Sequence, residues 1–132
     1  MIRSWALLLL LSVLGLVSGC AMSKHAVADT AGSGRKITFD LSKLNAQGLY
    51  GPPDGLRALD YEFCIPARQE CIEEVRRIDP TLHVYQGSKG RIGCSRGEAL
   101  CIGNTGQTNW REVLLKLAGL PYVKRIEQAY FE

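Results

Sequence analysis

Three bases, Lys89, Arg91 and Arg96, fall within the stretch Gly87-Ser88-Lys89-Gly90-Arg91-Ile92-Gly93-Cys94-Ser95-Arg96-Gly97, which contains no acid. Clustered positive charge attracts anions, and the glycines let backbone amides come close to a bound group. The chemistry expected there is non-covalent, namely capture of a lipid phosphate or of an acidic partner. A second anion-binding candidate, Gly103-Asn104-Thr105-Gly106-Gln107-Thr108, precedes a predicted helix N-terminus, where N–H groups point outward. Neither stretch has the spacing of a P-loop, whose Lys follows the second Gly. Both also suit plain connections, one a solvated hairpin and the other a helix lead-in.

Side chains for bond-making chemistry are few. With only His25 and His83 there is no histidine cluster for a metal, and His83 has no identifiable partner for a catalytic triad. Asp60 and Glu62 alternate onto one face of a predicted strand, about 7 Å apart. That spacing suits acid–base work in a cleft, and equally the polar side of a solvated sheet. No cofactor fingerprint is present, and no cofactor or metal is expected.

Apart from Cys20, the cysteines are Cys64, Cys71, Cys94 and Cys101. An even set reads as two disulfides if the domain is exported, as the N-terminal segment implies. Local pairing, Cys64–Cys71 with Cys94–Cys101, is favoured. The chief rival is Cys64–Cys101, because both residues are expected on the open face of neighbouring strands, and it forces Cys71–Cys94. Zinc needs cysteine pairs two to four residues apart, and thiol redox chemistry needs Cys-x-x-Cys; neither spacing occurs.

The elements that must position these residues follow from periodicity. Leu59, Tyr61, Phe63 and Ile65 alternate with polar residues, as in a half-buried strand. Pro66 suits the first position of a helix. Cys71, Ile72, Val75 and Ile78 continue that helix, with acids early and bases late, until Pro80. Leu82–Tyr85 and Ala99–Ile102 read as strands. Asn109 and Glu112 form a capping-box-like start for a helix with the stripe Trp110, Val113, Leu114 and Leu117. The stretch from Tyr122 to Phe131 reads as a closing strand. The order β-α-β-β-α-β predicts an α+β fold of the ferredoxin-like type. In it, two helices cover one face of a four-stranded antiparallel sheet and leave Asp60 and Glu62 on the open face. The alternative is an irregular disulfide-stapled α+β domain.

At the N-terminus, Met1-Ile2-Arg3 is short and positive, and 13 apolar-biased residues from Trp5 to Val17 fall short of the ~20 needed to span a bilayer. Val17-Ser18-Gly19-Cys20 resembles the lipobox of bacterial lipoproteins. The resemblance covers only the signal. It implies cleavage after Gly19, diacylglycerol on the Cys20 thiol and acylation of its amine, which gives a stable membrane anchor. Ala21, in the position where Asp commonly retains such proteins in the inner membrane, implies delivery to the outer membrane. The expected organisation is a signal peptide over 1–19, lipidated Cys20 with a flexible tether to 36, an N-terminal extension over 37–57 and a small α+β domain over 58–132.

A chain of 132 residues with 46% hydrophobic residues provides one modest core. That excludes a multidomain enzyme, a polytopic membrane protein and a repeat array. The formal net charge of +3 gives no prior for nucleic acid, and the sheet face lacks the aromatic pattern of RNA-binding domains of this fold. The expected role is a non-catalytic binding or structural module, lipid-anchored in the envelope and facing the periplasm, whose partner is an envelope protein or anionic lipid. The alternative is a small envelope enzyme or anionic-ligand sensor that uses Asp60, Glu62 or His83 beneath the basic loop.

Overall fold

The computed structural model describes residues 30–131. The expected signal peptide, Cys20 and most of the tether lie outside the described residues. The chain enters through a short helix, α1 (Thr30–Gly34), and a 3-10 turn (Leu41–Lys43). A small hairpin follows, of β1 (Leu49–Tyr50) and β2 (Arg57–Ala58). The remaining elements are β3 (Asp60–Pro66), α2 (Gln69–Ile78), β4 (His83–Gln86), β5 (Glu98–Asn104), α3 (Trp110–Gly119) and β6 (Glu127–Gln128). The expected mixed α+β class is present, with a four-stranded sheet in the order β4-β5-β3-β6 and every neighbouring pair antiparallel.

The alternation read in β3 places Tyr61, Phe63 and Ile65 on one fully buried face, beneath Cys71, Ile72 and Val75 of α2 and Val113, Leu114 and Leu117 of α3. Each large aliphatic side chain buried this way contributes about 1.5–3 kcal/mol. Pro66 does not start the helix. It closes β3 opposite Glu98, and α2 begins three residues later, because Ala67 N–H is drawn to the Gly97 carbonyl at 2.8 Å. Asn109 does flank α3 but makes no side-chain capping bond. The closing strand is much shorter than its apolar content suggested. Val123, Ile126 and Ala129 are buried at intervals of three, a spacing that does not keep one strand face on the core.

The segment over 30–57 is not an appendage. Ser33 is buried, Lys36 Nζ donates to the Leu120 carbonyl at 3.0 Å, and Ile37 bridges Ile126. Ile37 and Leu44 belong to the core, with Phe39, Leu41 and Tyr50 packed against it. Gly48 (φ +74°) could not be another residue, since a Cβ there would lie 1.9 Å from the Thr105 carbonyl oxygen. The Thr105 hydroxyl donates to the Gly48 carbonyl at 2.6 Å and accepts Leu59 N–H at 2.8 Å, which ties the extension to β3.

The second face of the sheet is covered rather than open. Ile92, Cys94 and Leu100 form a smaller buried cluster with Cys64 and Ile102 packed against it. The cover is the basic loop itself.

Candidate functional site

The loop over 87–97 connects β4 to β5 and folds back across the sheet. Glu62 explains why it can do so. The residue is 4% exposed and its carboxylate accepts the Ile92 N–H at 2.8 Å, so the side chain expected on an open face is an internal anchor for the loop. Gly90 (φ +60°) crosses directly above, where a Cβ would sit 2.8 Å from Glu62 Oε2 and 2.6 Å from Leu100. Arg125 Nη2 donates to the Ile92 carbonyl at 2.7 Å, and the Lys89 carbonyl accepts from Gly93 and Cys94 N–H. Ser95 N–H donates to Glu98 Oε2 at 2.8 Å. A Cys64–Cys94 disulfide fastens the loop covalently to β3.

Neither expected disulfide pairing occurs, and register supplies the reason. Cys64 lies opposite Leu100 and faces the loop, whereas Cys101 lies opposite Phe63 and faces the helices. The sheet therefore separates Cys64 from Cys101. Cys71, buried in the helix-side core, is equally remote from the loop face. Cys71 and Cys101 remain free thiols within that core. The donor atoms of Cys64, Cys94 and Glu98 lie within 4.8 Å of one another, but the two sulfurs are bonded together and offer no thiolate pair to a metal.

Lys89, Arg91 and Arg96 are all exposed on the fastened loop. Lys89 and Arg96 line one cleft of about 700 Å³ with Gln86, Ser88, Ser95 and Glu98. Glu98, its acid, is occupied by Ser95 N–H and by Lys124 Nζ at 4.0 Å. No ion pair to Lys89 or Arg96 occurs among the described residues. The cleft thus offers two uncompensated cations beside glycine backbone. A concavity of about 800 Å³ along α3 is larger. There, however, Arg111 lies over the Trp110 ring and Lys116 pairs with Glu112 at 2.7 Å, so both cations are already engaged.

The residues of the enzyme alternative are not brought together. Asp60 accepts from Asn104 Nδ2 at 2.7 Å, Glu62 is buried, and His83 is exposed, with its ring 6.4 Å from that of Tyr85. Glu62 and His83 flank Ile102 on the same rung, which keeps an apolar side chain between them. The second anion candidate spends its polar groups internally. Gly106 N–H donates to Asn104 Oδ1, Gln107 N–H to the Thr105 carbonyl, and Thr105 is buried.

Sequence reading missed Asp79. Fully buried after α2, its carboxylate accepts from Tyr61 Oη at 3.1 Å, Gln107 Nε2 at 3.2 Å, Thr81 N–H at 2.9 Å and Thr81 Oγ1 at 2.6 Å. Burial, reinforced by this carboxylate, raises the Tyr61 phenol well above its usual range. Asp two residues before Thr is a local turn signal, but nothing in the sequence announces the distant partners Tyr61 and Gln107.

Burial also pushes the Cys101 thiol up to about 12. Cys101 and Cys71 are both buried, and for want of access both should resist iodoacetamide at pH 8 in the native protein and react fully in denaturant, as peptide mass spectrometry would record. Rapid native alkylation of either thiol would contradict this packing. Between about pH 9 and 12 the unfolded Cys101 thiol ionises while the folded one stays protonated. Stability should therefore be whole below that window and fall across it, by about 1.4 kcal/mol per pH unit from this group. Urea titrations at pH 8, 9.5 and 11 would measure the loss.

Comparison with known proteins gives no match to any family model, curated protein or solved structure.

Proposed function

We propose that this chain is a lipid-anchored protein of the bacterial cell envelope, held through Cys20 and facing the periplasm, with delivery to the outer membrane. Its domain acts as a non-catalytic module that binds an anionic group at the basic loop. The lipobox-like Val17-Ser18-Gly19-Cys20 supports the anchor. A disulfide suits the oxidising space outside the cytoplasm. We also class the fold as ferredoxin-like. The β-α-β-β-α-β order from Asp60 onward, in a wholly antiparallel sheet with its first and third strands adjacent at the centre, supports that assignment.

One observation carries the binding role. Lys89 and Arg96 line one cleft without acidic partners, on a loop fixed by a disulfide, a buried carboxylate and Arg125. A loop held in place loses little entropy when a ligand binds. The test is a photo-crosslinker at Ser88 in whole cells, with one at Lys43 as the control. Adducts should form from Ser88, and changing Lys89, Arg91 and Arg96 together to Gln should reduce them roughly tenfold or more. The melting temperature should stay within about 2 °C, because all three side chains are exposed. Undiminished adducts in the triple variant would reduce the loop to a strand connection.

A further inference from the structure

The bases are distributed unevenly between the two ends of the sheet. β3 runs from Asp60 to Pro66, opposite Glu98, and β4 ends at Gln86, opposite Ala99. Arg68 and the loop with Lys89, Arg91 and Arg96 therefore leave from the same end. α3 starts beyond the far end of β5 and runs back, so Gly119 and Leu120 also lie at the basic end, where Lys124 Nζ reaches Glu98. The chain enters the domain here too. Ser33 sits against the Gly119 position, and Lys36 Nζ bonds the Leu120 carbonyl, with exposed Arg35 between them in sequence. Tyr85, 47% exposed, stands next to Gln86 of the loop cleft. The opposite end also carries bases: Arg57 before β3, Arg76 and Arg77 in the last turn of α2, and Arg111 at the start of α3. Acids are interspersed with them there, since Asp40 and Lys43 share a concavity with Tyr130, Asp60 opens β3 and Glu112 follows Arg111.

We propose that the basic end of the domain docks on an anionic lipid bilayer, with Lys89, Arg91, Arg96 and Lys124 meeting headgroup phosphates and Tyr85 at headgroup depth. The inference rests on the envelope reading above and gives the loop its ligand. Charge complementarity selects the occupant, since several exposed bases on one side, rather than a deep enclosing pocket, match a continuous plane of phosphates. Tyr85 supplies an aromatic ring suited to the interface at this rim, but Tyr130, 60% exposed at the opposite end, offers the same, so the bases and not the aromatic select the end. Entry of the chain at the same end puts the attachment point of the Cys20 tether beside this surface, so the basic end can face the membrane without the tether crossing the domain.

The test is lysine footprinting of the mature chain, purified from the envelope and placed on lipid nanodiscs of phosphatidylcholine alone or mixed with phosphatidylglycerol. A brief pulse of an amine-reactive ester is read by peptide mass spectrometry. Labelling at Lys89 and Lys124 should fall roughly fivefold on the anionic discs, with Lys43, at the opposite end, unchanged. Protection should vanish near 1 M salt, where the Debye length is about 3 Å. The R91Q/R96Q variant keeps both reporters and should lose protection, whereas R91K/R96K should retain it. Equal labelling on the two disc types would overturn the proposal, as would protection of Lys43 instead. Protection on neutral discs after adding inorganic phosphate would assign the site to a free anion and overturn the bilayer. The intact mass of the same sample separates the two readings. Unacylated Cys20 overturns the anchor and leaves the footprint to judge the surface; acylated protein without protection overturns the surface alone.

Discussion

Changing Asp79 to Ala should destabilise the domain by about 3 kcal/mol, which for a domain of this size lowers the melting temperature by on the order of 12–20 °C. The carboxylate is fully buried and joins three parts of the structure: Tyr61 on β3, Thr81 after α2, and Gln107 before α3. Its removal strands the Tyr61 hydroxyl in the core, away from water, and frees the turn at Thr81. Changing Tyr61 to Phe removes one of these bonds without leaving a cavity and should cost only about 1 kcal/mol. Urea denaturation of both variants would give the ratio. An Asp79 variant within 1 kcal/mol of the parent would mean that the carboxylate is not the junction its geometry suggests.

The second large effect concerns the loop bridge. Cys64 and Cys94 are separated by 30 positions, and closing a loop of that length removes unfolded-state entropy equivalent to about 3–4 kcal/mol. Changing both residues to Ala should cost about that much. The damage should be local first: cleavage by trypsin at Lys89, Arg91 and Arg96 should speed up, because the bridge fastens this loop to β3. Glu62 and Arg125 still hold Ile92, so the loop should not be wholly released. A time course of proteolysis on the double variant would show whether first cuts fall in the loop. First cuts in α2 or α3 would mean that the bridge holds the core rather than the loop.

How much of this was legible in the sequence depends on the range of the interaction. The β3 alternation and the two helical stripes were readable, because burial on one face imprints a period on neighbouring residues. The basic loop was readable by composition. Its fold-back onto the sheet was not, because that rests on a single buried carboxylate, Glu62, meeting a backbone amide thirty residues away. Alternation alone assigns Glu62 to the polar side of the strand and cannot say that a loop will cover that side. The same blind spot produced the disulfide error. Parity separates Cys64 from Cys101 only when the β3–β5 register is known, and register is a long-range property. The closing strand is overread from sequence: the stretch from Tyr122 to Phe131 reads as one strand, but only Glu127–Gln128 pair as one. The burial of Val123, Ile126 and Ala129 at intervals of three shows irregular chain that apolar content alone does not reveal.

Two features define the molecule as proposed: an envelope anchor at Cys20 and a basic loop locked to the sheet. Mass spectrometry of a non-reduced digest of the protein isolated from membranes reads both at once. The N-terminal peptide should begin at acylated Cys20, and a linked peptide pair should join Cys64 to Cys94. An N-terminal peptide that begins at Met1, or a linkage of Cys64 to Cys71 or Cys101, would contradict the proposal.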